Sequence, residues 1–555
     1  GGGAFAVSME NLGANAALTA ASALLVDYVM TVAVSVVAGV VAITSALPGT
    51  SGYAVEMSVA AVALLMVANL RGLKESGRAF AIPTYAFVTL TFLMVVVGAA
   101  KGFTGHLPDA STAGETLHRT AHVGGAFTLL LTLRAFASGC TALTGVEAIS
   151  NGVPAFRKPK SHNAAATLTV MGLLAVSMFA GITVLALHMH ARARIDGNPS
   201  VISQIAAGVF GGHAVLFFLY QAATAGILIL AANTAFNGFP VLSSILAQSS
   251  YLPRQLHNRG DKLVFSNGIL LLGGFAIALI VGFDANIDKL IQLYIIGVFT
   301  SFTLSQAGMV RHWNKLLADG TAARRRLLMA RTINLVGACL TGLVLVVVLY
   351  TKVQHGAWLA IAAMAVLFVI MRAIRRHYDT VRVELAVNGA VGQALPARNH
   401  GVILVSKLHL PALRAIAYAR GTRPSTLEAL TVRLDDEETE RLEREWLQHD
   451  IDVPLVVLDS PYREMTGPVV DYLRRLRRQS PRDVVTVFIP EYVVGRWWEH
   501  ALHNQNALRL KARLLFEPGV MVTSVPWQLR STQNGASPNG QVGLGSQETW
   551  PTRSA

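Results

Sequence analysis

A helical membrane body followed by a separate α/β domain is the fold class predicted by three features of this 555-residue sequence: too few charges, apolar runs of membrane length, and a change of periodicity near residue 377. Only 14% of the residues are charged while 53% are hydrophobic, and the mean hydropathy is +0.48. A soluble chain would carry about 25% charged residues. The apolar excess therefore reads as lipid-facing surface.

The net charge of +14 and a pI near 10.0 would also suit a nucleic-acid binder, which neutralises phosphates with a basic face. The placement of the charges excludes that class, because they sit in short loops on alternate sides of apolar runs, the positive-inside pattern. Cys140 and Cys339 both fall within apolar runs. That leaves no disulfide framework or CxxC metal site, and the two read as small core residues.

A helix needs about 20 mostly apolar residues to cross about 30 Å of hydrocarbon. Such runs lie at 15–46, 56–71, 80–100, 123–152, 163–187, 213–236, 263–283, 289–309, 332–351 and 355–374. Loops of one parity hold Arg71, Lys74 and Arg78; Arg157, Lys158 and Lys160; Arg254, Arg259 and Lys262; Arg311, Lys315 and Arg324 to Arg326; and Arg372, Arg375 and Arg376. The opposite loops hold mainly Arg119, Arg192, Arg194 and Lys352. Both ends of the chain are thereby expected in the cytoplasm.

The expected organisation is a transmembrane domain over 1–376, a linker over 377–400, an α/β domain over 401–530 and a disordered tail over 531–555, the tail being rich in Ser, Gly, Gln and Asn. Strands are expected at 402–406, 429–434, 455–458, 484–489 and 520–525, with helices such as 437–448, 469–478 and 497–515 between them. Alternation of this kind builds a parallel sheet covered on both faces. Asp459, Ser460 and a Pro490–Glu491 turn follow strands, where such sheets bind ligands. No Gly-rich phosphate loop, HExxH or nucleophile elbow is present, so the domain reads as regulatory rather than catalytic. The run Arg474–Arg475–Leu476–Arg477–Arg478 reads as a solvated helix face.

Charged side chains inside a span are costly and mark function. Asp27, Arg134 and Glu147 qualify. At 100° per residue Asp27, Thr31, Ser35 and Tyr28 fall at about 0°, 40°, 80° and 100° around the first span, so one face offers a carboxylate, two hydroxyls and a phenol. Oxygen ligands suit a hard cation, whereas soft metals prefer sulfur or imidazole. The plainer reading is that Thr31 and Ser35 tie helices together or bond back to their own carbonyls.

In the fourth span, Gly139 and Gly145 bracket small and hydroxylated residues including Thr144, just before Glu147 and a Ser150–Pro154 turn signal. Transporters commonly break a helix at such a place. Glu147 there could bind a cation or carry a coupled proton, while the small residues could equally serve packing. Arg134 reads as a counter-ion to Glu147 or Asp27, or as a partner of backbone carbonyls. Tyr294, in a span with Thr300, Ser301, Thr303 and Ser305, could add an oxygen or simply pack. Asn233 and Thr234 are a weaker coupling-ion pair.

The segments GGGAFAVSMENLG, LLVDYVMTVAVSVVAGVVAITSALP, LRAFASGCTALTGVEAISNGVPAF and LYIIGVFTSFTLSQ resemble the amino acid–polyamine–organocation (APC) superfamily, and within it the KimA-type potassium importers. The resemblance covers nearly all of residues 1–380. It implies a LeuT-like fold of twelve helices built on two inverted five-helix repeats. Gly1–Gly3 would then end the second family helix and the ten runs would be helices three to twelve. The sequence opens without an initiator Met or signal peptide, and the first family helix, which is broken and contributes to the substrate site, is expected to lie upstream of it. By resemblance Asp27, Tyr28, Thr31, Ser35, Thr144, Glu147 and Tyr294 line a potassium path. The tail domain is similar to universal-stress-protein-like tails, which implies a homodimer and control by a signalling nucleotide.

The leading expectation is a proton-coupled potassium importer of the bacterial cytoplasmic membrane, with potassium and protons as transported species and no cofactor. Two other readings stay open: an amino acid or polyamine permease, and a truncated membrane sensor that no longer transports. Topology can be tested directly, since the charge asymmetry predicts that an impermeant thiol reagent added outside labels a cysteine introduced at Ser51 but not at Ser76 or Ser460. Reversed sidedness would overturn the orientation.

Overall fold

The computed structural model divides into two units, residues 1–386 and 387–555. It describes residues 3–72, 77–114, 156–194, 197–257, 265–320, 324–352, 357–386, 396–460, 464–477, 482–493 and 506–528, with isolated positions between 131 and 153. Cys140, the apolar run at 123–152 as a continuous span, and the tail at 531–555 lie outside the described residues.

In the first unit α1 (Gly3–Asn11), α2 (Ala14–Ala46), α3 (Ala54–Leu70), α4 (Gly77–Phe103), α5 (Lys160–His188), α6 (Val201–Phe210), α7 (Val215–Gln248), α8 (Ser266–Gly282), α9 (Ile287–Ala318), α10 (Arg324–Lys352) and α11 (Trp358–Glu384) follow in order. Among the described residues eight helices are long and apolar enough to cross a membrane. The protein is a multi-pass membrane protein.

The central helix is α2. In its most apolar stretch 61% of residues are buried, against 6% for α5, so α2 is sheathed in protein while α5 faces lipid. Small residues allow the sheathing: Ala17, Ala20, Ala21 and Ala23 are fully buried, and α7, α9, α11, α8 and α3 pack around them. At Gly39 a Cβ would lie 3.4 Å from the Ala225 carbonyl of α7, the close backbone approach that small residues permit between membrane helices. The apolar excess appears where expected, with Leu173, Val176, Phe179 and Leu187 of α5 exposed.

Several features depart from the expectations. Cys339 is exposed rather than in the core, because it shares a surface of α10 with exposed Val336, Leu340 and Leu343. Helix α6 falls in no expected span. It is a short apolar helix whose N-cap Ser200 accepts from the Ser203 amide and whose end is held by Lys101 Nζ donating to Val209 O at 2.7 Å. Helix α8 has 17 residues, a rise of about 25 Å, somewhat less than the bilayer core. Helix α11 runs ten residues beyond the expected end at 374, so the expected domain boundary at 376 falls inside it. Arg375 pairs with Asp379 at 2.9 Å and Arg382 with the same carboxylate at 3.8 Å, and such i,i+4 and i,i+3 pairs support a helix in water.

The second unit holds five parallel strands, β1 (Asn399–Leu404), β2 (Thr426–Arg433), β3 (Leu455–Asp459), β4 (Val484–Val493) and β5 (Val520–Gln528), in the order β3-β2-β1-β4-β5. Helices α12 (Leu410–Gly421), α13 (Asp436–Gln448), α14 (Thr466–Arg477) and α15 (Asn506–Leu514) connect them. Side chains alternate between faces along a strand. Ile403, Ala429, Phe488 and Val525 pack with Ala415, Ile416, Leu442 and Trp446 of α12 and α13. Their neighbours Val402, Leu404, Leu430, Val485 and Val487 pack on Leu473, Leu510 and Leu514 of α14 and α15. Both faces are covered, which is why these strands read as apolar runs. The expected Pro490–Glu491 turn is instead inside β4, with Pro490 paired to Val525 and Glu491 to Pro526 of β5.

Leu473 is fully buried on the second face. Leu473→Ala should cost about 2–5 kcal/mol, read as hydrogen exchange across β4 at least about 30-fold faster. Unchanged protection would remove Leu473 from the core.

Candidate functional site

Three helices meet where α2 carries its polar stripe. Asp27 is 1% exposed, while Tyr28, Thr31 and Ser35 are half-buried. From one side α9 approaches with a glycine opposite the carboxylate. A Cβ at Gly297 would sit 3.0 Å from Ala23 O and 3.4 Å from Asp27 Cβ, so only a residue without a side chain lets the helices come this close. Tyr294, one turn earlier on α9, is buried at 6% exposure. Thr31 Oγ1 donates to its hydroxyl at 3.3 Å.

From another side α7 places Gly238 against the Tyr28 ring, with its missing Cβ position 2.6 Å from two ring carbons. The phenol thus lies across α7 in space the glycine leaves open. A carboxylate, a threonine hydroxyl and two phenols, from helices distant in sequence, are gathered within a few side-chain lengths. The ring of Tyr294 also packs with Val26, Met30, Leu293 and Val298, so its packing role and its hydroxyl contact coexist.

Asn233 and Thr234 of α7 separate. Asn233 is buried at 7% exposure and accepts from Asn69 Nδ2 of α3 at 2.7 Å, while Asn69 also donates to Leu65 O. Thr234 is exposed and donates to Ala231 O at 2.6 Å. Its hydroxyl is engaged by its own helix, as Ser and Thr often are in membranes, and the structure does not join it to Asn233. Thr303 likewise donates to Phe299 O and to Thr341 Oγ1 of α10 at 3.1 Å, a tie between neighbouring helices. Arg134, Thr144 and Glu147 lie outside the described residues.

The sequence reading missed three participants. Gly238 and Gly297 carried a weak signal, as glycines in apolar helices. Asn69 carried none, because its role depends on a partner 164 positions away.

In the α/β domain, strand order reverses between β1 and β4, and the carboxyl ends of strands β1 and β2 enclose a cavity of about 80 Å³ beside Ser406, Lys407, Asp435 and Glu438. Lys407 Nζ donates to Glu438 Oε1 across it at 2.7 Å. Asp459 is paired with Arg433 at 3.1 Å, and Ser460 Oγ donates to Glu464 O and accepts from Glu464 N. Glu491 pairs with Lys511 of α15. Arg474 grips Glu517 through two bonds of 2.9 and 2.6 Å. Those bonds, first of all, hold the Glu517 carboxyl below its usual range.

Residues 1–371 match the amino acid permease family. Residues 398–527 match the KimA potassium transporter C-terminal domain. The chain is 38% identical over 532 residues to the potassium transporter KimA of Bacillus subtilis (strain 168), an alignment covering 96% of this chain and 85% of that protein.

Gly297→Val would drive Cβ into the Ala23 carbonyl, an overpacking worth about 1–3 kcal/mol. The thermal midpoint of the purified protein in detergent should fall by several degrees, whereas Gly274→Ala, at a position with nothing within 4 Å, should leave it unchanged. Equal behaviour of the two variants would refute the close contact of α2 with α9.

Proposed function

The chain belongs to the amino acid permease family, and from that premise we propose that it imports potassium across the bacterial cytoplasmic membrane, coupled to protons. It is a membrane transporter, not an enzyme. The observation that carries the potassium reading is the buried Asp27 beside Tyr28, Thr31 and Tyr294. Oxygen ligands and a negative charge suit a hard monovalent cation, and the same carboxylate would repel the carboxylate of an amino acid substrate. The name of the Bacillus relative points the same way.

In this reading the membrane unit works as a LeuT-like inverted repeat, rocking about a site near the bilayer midplane. Glu147, in the segment whose sequence pattern suggests a helix break, is the proton carrier. A carboxylate that meets an apolar surround in one state and a cation in the other binds and releases one proton per cycle. Thr144 contributes an oxygen from the same sequence segment, and Arg134 neutralises a carboxylate during the cycle. Asn233 holds α7 to α3. The α/β domain, read as universal-stress-protein-like, joins two copies into a homodimer and takes a signalling nucleotide at the carboxyl edge of its sheet, near the reversal of strand order where doubly wound sheets bind ligands.

Expression in a strain lacking its own potassium uptake should restore growth at low potassium. Asp27→Asn should abolish that rescue while insertion and abundance stay unchanged. Unimpaired rescue by the variant would remove Asp27 from the ion path.

Proton coupling is separately testable in proteoliposomes, where potassium uptake by the wild type should move protons. Glu147→Gln keeps a carbonyl oxygen for the cation but cannot exchange a proton, so it should leave potassium binding in place and abolish the potassium-driven pH change. A variant that still moves protons with potassium would place the coupling group elsewhere.

A further inference from the structure

A cavity of about 760 Å³ opens at the cytoplasmic end of α11, between that helix, the start of α2 and Tyr251. It is remote from Asp27, since Asn15, whose Oδ1 accepts from Arg372 NH1 at 2.8 Å, lies about 18 Å along α2 from that carboxylate. Its level in the bilayer is set by the sequence of α11, where the apolar run ends at buried Met371 and Arg372, Arg375 and Arg376 follow within about one turn. That is the depth of lipid phosphates on the positive side of the membrane.

The three arginines have different work. Arg375 builds the wall: Nε donates to Asp379 at 2.9 Å, NH1 donates to Ser249 O at 2.8 Å, and the guanidinium stands 5.5 Å from the centre of the Tyr251 ring. Asp379 is occupied between Arg375 and Arg382. Arg372 bonds to the neutral amide of Asn15 and forms no ion pair among the described residues. Arg376 forms no ion pair among the described residues, and both Arg372 and Arg376 are exposed. The remaining acid, Glu384, is two turns further along the helix, about 12 Å away.

Leu18, Val383 and the Tyr251 ring make the rest of the lining largely apolar. A free anion would use only the guanidinium groups. A phosphodiester carrying glycerol and acyl chains would use both parts. Helix α2 also begins at this cavity with no side chain capping its first amides, which adds positive potential to the same place.

We propose that this cavity binds the headgroup of an anionic phospholipid of the cytoplasmic leaflet, with Arg372 and Arg376 on the phosphate and Tyr251, Leu18 and Val383 against its glycerol and upper acyl chain. Basic pockets between helices on the cytoplasmic side are suited to such headgroups.

The test is native mass spectrometry of the full chain in detergent, titrated with phosphatidylglycerol, with phosphatidylcholine of the same chains, and with inorganic phosphate. One phosphatidylglycerol should be retained in preference to phosphatidylcholine. Arg372→Gln with Arg376→Gln should weaken it about 30-fold, about fivefold for each charge removed. Arg376→Gln alone, at an exposed position, should give the fivefold loss with an unchanged thermal midpoint. Arg324→Gln with Arg325→Gln, which removes two cytoplasmic charges on α10, should have no effect on the retained lipid. Equal retention of the two lipids, or an Arg372→Gln/Arg376→Gln protein that binds like the wild type, would overturn the proposal. Displacement of phosphatidylglycerol by inorganic phosphate at comparable concentration would make the cavity a free-anion site and overturn its assignment to lipid.

Discussion

Burying a carboxylate in the middle of a membrane helix is the constraint on which the rest of the membrane unit depends. A charged or polar group placed against lipid costs several kcal/mol, so the helix that carries Asp27 must be surrounded by protein. The residues of α2 serve that requirement: alanines at 17, 20, 21 and 23 let neighbours approach, and Gly297 of α9 meets Ala23 and Asp27 at backbone distance. Once α2 is enclosed, the helices outside it take the lipid contact. α5 is accordingly apolar on almost every side.

The same close packing supplies chemistry. Where two helices touch through glycine and alanine, their polar side chains are brought into hydrogen-bond range, and Thr31 reaches Tyr294 although they are 263 positions apart. Tyr28 occupies room that a side chain at 238 would fill. Small residues are therefore as much a part of the site as the oxygen atoms are, since larger ones would hold the helices apart.

How much of this was legible in the sequence depended on range. The stripe of Asp27, Tyr28, Thr31 and Ser35 lies on one helix, so the angular period alone suffices to predict it, whereas the helices that Tyr28 and Thr31 meet are not encoded locally. The five strands were legible because a sheet covered on both faces demands apolar runs, as in Val402–Leu404 and Val485–Val487. Helix α12 was not named in advance, although Pro411 in its first turn is a start signal. Glu491 was mistaken for a turn residue because Pro490 usually ends a strand. Here β4 continues, paired with β5. Asn69 and the lipid-facing side of Cys339 were out of reach, because both depend on which helices become neighbours. The length of α11 was hidden for another reason: a hydropathy window stops at the last apolar residue, whereas the helix continues on ion pairs.

Part of the excess of positive charge has a definite place in the structure. At the C-terminal end of α11 it is concentrated in Arg372, Arg375, Arg376 and Arg382, with Arg254 nearby over the Tyr378 ring. These groups are at the water boundary, where screening limits their reach to about 8–10 Å. Asp27 lies about 18 Å further along α2 than the residue that Arg372 touches. The arginine rim therefore belongs to the water boundary and not to the immediate surroundings of the carboxylate. The immediate surroundings of the carboxylate are side-chain hydroxyls and helix backbone.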